Sequence, residues 1–87
     1  MSRLTLYYKD TCPYCQKVFR FMDEHGITLS KKDINESPLY RQELIQIGGK
    51  PQVPCLVIDD KALYESDDII TWLRNNYKKR SFGILSG

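Results

Sequence analysis

The sequence predicts an α/β domain: a four-stranded mixed sheet flanked by three helices, in the order β-α-β-α-β-β-α. Three observations carry this. The apolar pattern switches from a period near two to a helical period at Pro13. Strand-like and helical segments then alternate, which argues for a parallel pair joined by a right-handed crossover. Near the end, two short apolar runs separated by Asp59-Asp60 form a hairpin before a last helix. At 87 residues the chain has the length of one domain, expected to span residues 1–87.

Each element has its own justification. RLTLYY (Arg3–Tyr8) alternates and is rich in Leu, Thr and Tyr, as a strand is. From Pro13, Tyr14, Val18, Phe21, Met22 and His25 recur at helical spacing until Gly26 stops the run. Pro13 suits the first turn, where a missing N–H costs nothing. TLSKKDI (Thr28–Ile34) is the second strand. In SPLYRQELIQIGG, Ser37 is the cap, Pro38 opens the helix, Leu44 and Ile47 are its apolar positions, and two glycines end it. PCLVI (Pro54–Ile58) and KALY (Lys61–Tyr64) are the hairpin strands. SDDIITWLRNNYKKR is the last helix, with Ser66 as N-cap and Asp67 and Asp68 in its positive first turn. Ile69, Ile70, Leu73 and Tyr77 make its apolar face, and the tail 81–87 is expected to fray.

Composition narrows the function. No apolar run approaches the length of a membrane span, and the N-terminus lacks the apolar core of a signal peptide. No membrane association is expected, and a cytoplasmic, reducing setting is the default. The net charge of +2 is too small to imply nucleic acid, and the Lys78–Arg80 run reads as a solvated helix end.

In that setting a Cys-x-x-Cys is catalytic or metal-binding rather than a structural staple. CPYC places Cys12 and Cys15 at the carboxyl end of the first strand, where open α/β sheets bind ligands. A closed zinc site needs four ligands, and the chain has three cysteines and one histidine. His25 ends the first helix, ~20 Å from Cys12 at ~1.5 Å per residue. No metal is therefore expected. Redox chemistry fits better. Cys12 lies just ahead of a helix, where free N–H groups favour a thiolate, and Lys9 adds a cation three residues earlier. Cys15, one turn inside, should be more buried. Cys12 is thus the expected nucleophile and Cys15 the resolving thiol.

A second signal is QVPCL (Gln52–Leu56). Pro54 at the start of a strand loses no ladder bond. A cis Val53–Pro54 bond would expose the backbone of Val53 to an extended ligand. Cys55 reads as a small buried hydrophobe.

Together these features resemble a glutaredoxin of the thioredoxin superfamily, across Arg3 to about Tyr77. The resemblance implies a thioredoxin-like fold and a glutathione-dependent thiol-disulfide oxidoreductase. Its substrates would be protein–glutathione mixed disulfides and protein disulfides, with glutathione as reductant, no permanently bound cofactor, and a monomeric chain. It further implies that Cys12 takes glutathione in a mixed disulfide and Cys15 resolves it. Lys9 and Arg41 would hold the glycine carboxylate, and Gln52, Val53 and Pro54 would form the segment that pairs with the ligand's cysteine. Tyr14 would line the groove, and Ser66 and Asp67 would hold the γ-glutamyl end. A helix N-terminus accepts a carboxylate on general grounds, and Asp67 could take the ammonium. Tyr64-Glu65 stands where many glutaredoxins carry Gly-Gly, and ALYESDDI resembles the N-terminal domain of glutathione transferases. Two alternatives remain open: a dimer bridging an iron–sulfur cluster through Cys12 and glutathione, and a transferase-like domain that binds glutathione without redox work.

Overall fold

The structure, a computed structural model, describes residues 3–77. Its elements follow the predicted order: β1 (Leu4–Tyr8), α1 (Pro13–Glu24), β2 (Ser30–Asp33), α2 (Pro38–Gly48), β3 (Cys55–Ile58), β4 (Lys61–Tyr64) and α3 (Ser66–Asn76). The sheet runs β2-β1-β3-β4. β1 pairs parallel with β2 and antiparallel with β3, and β3 pairs antiparallel with β4. This is the thioredoxin-like arrangement.

Strand alternation divides the apolar residues between two cores. On one face Leu6 and Leu56 pack with Val18, Phe21 and Met22 of α1 and with Ile69 and Leu73 of α3. On the other face Tyr7, Cys55 and Val57 pack with Ile34 and with Leu44 of α2. Successive strand residues point to opposite faces, so Cys55 and Leu56 belong to different cores although they are neighbours in sequence.

Local chemistry sets the helix ends. Ser37 caps α2 by accepting the Leu39 N–H at 3.2 Å. Gly49 ends α2 in the left-handed region at φ 90°, and its N–H donates to the Ile45 carbonyl at 2.7 Å. Gly48 is required for a different reason: a Cβ there would run into the hydroxyl of Tyr64. That hydroxyl donates to the Lys50 carbonyl at 2.8 Å and so anchors the end of α2 to β4.

Three expectations need correction. The N-cap of α3 is Glu65, not Ser66, which is its first helical residue. Glu65 has φ 72°, a conformation that turns the chain sharply from β4 into the helix. β2 starts at Ser30 rather than Thr28, because the hydroxyl of Tyr77 takes both backbone groups of Thr28, N–H at 3.4 Å and carbonyl at 3.1 Å. Tyr77 is extended and ends α3 at Asn76, although its ring still packs on the core. The predicted continuation of that helix over 78–80, the Lys78–Arg80 run and the tail 81–87 lie outside the described residues.

Candidate active site

The two cysteines take their positions from the start of α1. Cys12 is the N-cap, extended at φ −86° and ψ 119°, with no side-chain cap bond. Its N–H donates to the Lys9 carbonyl at 3.3 Å, and its carbonyl accepts from Gln16 at 3.1 Å. The Gln16 amide donates to the Asp10 carbonyl at 2.9 Å, pinning the loop that leads to the helix. Cys12 is half-buried, whereas Cys15 is 0% exposed. Burial pushes the Cys15 thiol up to about 12, and the adjacent Cys12 sulfur adds to the rise against a partly compensating backbone interaction with Lys9. A thiol held so firmly in its protonated form is a poor first nucleophile.

The Cys12 Sγ lies 3.9 Å from the Val53 carbonyl oxygen, within reach of a long S–H···O contact. The Val53–Pro54 peptide is cis. Val53 is half-buried and Gln52 exposed, directly before β3. The Gln52 side chain donates to the Glu65 carboxylate at 3.3 Å. The segment before Pro54 and the turn before α3 therefore meet across the site.

Between them lies a cleft of about 590 Å³, within the ~300–1,000 Å³ usual for small-molecule sites. Six of the predicted site residues line it: Tyr14, Gln52, Val53, Pro54, Ser66 and Asp67. Tyr14 is 64% exposed, an aromatic surface that no other side chain of the described chain covers fully. Cys12, Cys15, Lys9 and Arg41 are not among the lining residues, and Cys12 meets the cleft through the Val53 carbonyl. Lys9 is half-buried in the loop before Cys12, and Arg41 is exposed on α2.

The cleft also includes Lys17, Glu65 and Asp68, which sequence reasoning missed. Lys17 lies three residues after Tyr14, a spacing that puts both on one helical face. That spacing was the available signal. Its ammonium pairs with the Asp67 carboxylate, tying α1 to the first turn of α3. Asp67 is thus not a free acceptor, as the sequence suggested, but one half of an ion pair.

Cys55 takes no part in this arrangement. It is 0% exposed in the core on the α2 side of the sheet, and burial pushes its thiol up to about 11. His25 caps the far end of α1 and stacks on Phe21 with ring centroids 4.2 Å apart. Among the described residues no group of three His, Cys, Asp or Glu side chains could hold a metal ion, and no helix is long and apolar enough to cross a membrane.

Comparison with known proteins agrees with this geometry. The glutaredoxin family's sequence model matches residues 4–63, from β1 into the hairpin. Glutaredoxin 3 of Escherichia coli K12 is 29% identical over 69 residues, covering 79% of this chain and 83% of its own. Among solved structures, glutathione transferase Omega 3C from Trametes versicolor superposes with a TM-score of 0.73 at 29% identity over 85% of this chain, which spans about a third of the transferase (33%). A buckwheat glutaredoxin–glutathione complex superposes with a TM-score of 0.67 at 22% identity, covering 85% of this chain and 70% of its own, and shares the fold. The family match covers most of the chain and includes the first strand, the cysteine pair at the head of α1 and the segment before Pro54. The chain belongs to the glutaredoxin family of thiol oxidoreductases.

Proposed function

We propose that this chain reduces protein–glutathione mixed disulfides, and some protein disulfides, with glutathione as the reductant. One observation carries the reading: a half-exposed Cys12 caps α1 beside the Val53 carbonyl, with a fully buried Cys15 one turn behind it. Cys12 stands at the start of α1, where no side chain caps the helix. As its thiolate it attacks the glutathione sulfur of a mixed disulfide. The old S–S bond breaks, the protein leaves as a thiolate that takes a proton, and a Cys12–glutathione disulfide forms. A second glutathione thiolate then attacks that glutathione sulfur and releases Cys12, with oxidised glutathione as the product. On protein disulfides, Cys15 attacks the Cys12 mixed disulfide instead and leaves a Cys12–Cys15 bridge, which two glutathiones reduce.

The cleft supports glutathione as the ligand. Its volume of about 590 Å³ suits a small peptide, the backbone of Val53 faces Cys12, and the first turn of α3 faces the same space. The buckwheat relative is a complex with glutathione, which supports the same reading. Both thiols and the cleft belong to one chain, so a monomer suffices. The chemistry requires a reducing compartment such as the cytoplasm.

A transferase-like reading has two observations in its favour, the likeness of this chain to the transferase and the ALYESDDI segment with its Glu65-Ser66 turn. An assay coupling glutathione, glutathione reductase and a small glutathione mixed disulfide separates the two. Turnover is expected, abolished in Cys12→Ser. Cys15→Ser should keep mixed-disulfide reduction within about threefold and lose about tenfold or more on protein disulfides. A chain that binds glutathione but shows no turnover overturns the oxidoreductase reading in favour of the transferase-like one.

A further inference from the structure

The Lys17–Asp67 pair has a role that its stability does not explain. The two side chains are 49% and 80% exposed, and such exposed ion pairs contribute little to folding. Their position is more informative. Both line the cleft, and they join the second turn of α1 to the N-terminus of α3. Glu65, Asp67 and Asp68 place three carboxylates around the start of α3. Lys17 is the one cation among the residues lining the cleft.

The start of α3 is also open. Its N-cap, Glu65, makes no side-chain cap bond, because the carboxylate turns instead to the Gln52 amide. The first N–H groups of the helix therefore lack a side-chain partner and invite an anion. An incoming carboxylate would nonetheless meet three negative side chains. A cation must offset them, and Lys17 is the cation in place.

We propose that Lys17 is a specificity-determining residue that reads the α-carboxylate at the amino-acid end of the ligand by exchanging partners with Asp67. The inference rests on the glutathione reading above. The γ-glutamyl end carries an ammonium and a carboxylate side by side, as Lys17 and Asp67 do. On binding, the ligand ammonium takes Asp67. Lys17, released, takes the ligand carboxylate at the open end of α3. Two ion pairs replace one. A ligand lacking the carboxylate would displace Lys17 and leave it without a partner.

The test compares two mixed disulfides: one made with glutathione, the other with its analogue in which γ-aminobutyrate replaces the γ-glutamyl residue, so that only the α-carboxylate is missing. The measured quantity is the ratio of their kcat/KM values. The wild-type chain should favour the glutathione substrate, and Lys17→Met should lower that ratio about fivefold through KM, the scale of about 1 kcal/mol. Lys17→Arg should restore most of it. A purely structural lysine would lower both efficiencies together and leave the ratio where it was, and that result overturns the inference. An unchanged ratio and unchanged efficiencies overturn it equally. If the wild-type chain does not turn over the glutathione substrate at all, the functional reading fails and this inference falls with it. Normal turnover with an unaltered ratio removes only the role of Lys17.

Discussion

Three cysteines of one chain occupy three chemically different places. Cys12 is half-buried at a helix N-terminus, Cys15 is enclosed one turn further on, and Cys55 is enclosed on the far side of the sheet. Burial raises the thiols of Cys15 and Cys55 and leaves them both protonated and out of reach at neutral pH. A brief treatment of the reduced native protein with iodoacetamide at pH 7 should therefore add one group, on Cys12. The same treatment in urea should modify all three. Peptide mapping checks this, and early modification of Cys15 would contradict the division of labour between the two thiols. The spacing of Cys12 and Cys15 was legible because a helix start treats its cap and its third residue differently. The engagement of Asp67 by Lys17 was not legible, since these residues are far apart in sequence and meet only through the packing of α1 on α3.

At the scale of single elements, local sequence explains α2 more fully than α3. Ser37, Pro38 and the glycine pair set both ends of α2 through cap, fixed φ and left-handed stop. Replacing Ser37 by Ala should cost about 1 kcal/mol, the usual scale for loss of an N-cap side chain. Urea unfolding of the variant, with an unchanged m-value, measures it. The first turn of α3 follows another logic. Ser66 is a good cap by residue type, yet the chain turns one residue earlier, at a glutamate with φ 72°. A non-glycine residue in that region is uncommon and clusters at functional sites. Here the turn aims the Glu65 carboxylate at Gln52 rather than at its own helix, and leaves the helix start open toward the cleft.

In the whole molecule, the sheet separates the Cys12–Cys15 pair from Cys55, and a buried neutral thiol lies on each side. The Cys15 thiol is raised from an ordinary value of 9.0 to about 12 and that of Cys55 to about 11, in each case chiefly by burial. Above pH 9 the unfolded chain releases these protons while the native state keeps them. Stability is therefore fully present below that pH and falls as pH rises toward the folded-state values, by at most ~1.4 kcal/mol per pH unit for each such group. Tyr7 and Tyr64, also raised by burial, act in the same direction at higher pH. The urea midpoint under reducing conditions should drop between pH 8 and pH 10.5. The drop should be smaller in Cys55→Ala relative to its own value at pH 8. A midpoint flat across this range would contradict the burial of both thiols.

The sequence by itself determined the order of elements, the caps of α2, the cysteine pair at the head of α1 and the apolar character of Cys55. These follow from period, residue type and near neighbours, all local along the chain. Tertiary structure alone decided which of these side chains pair with one another across the cleft. It brought Lys17 to Asp67 and Gln52 to Glu65, and it left Lys9 and Arg41 outside the lining. The reason is geometric. The cleft is assembled from a helix start, the loop before β3 and the turn before α3, and their meeting depends on how the helices pack on the twisted sheet. No period or motif encodes that distance, because it is a property of the packed core rather than of any one segment.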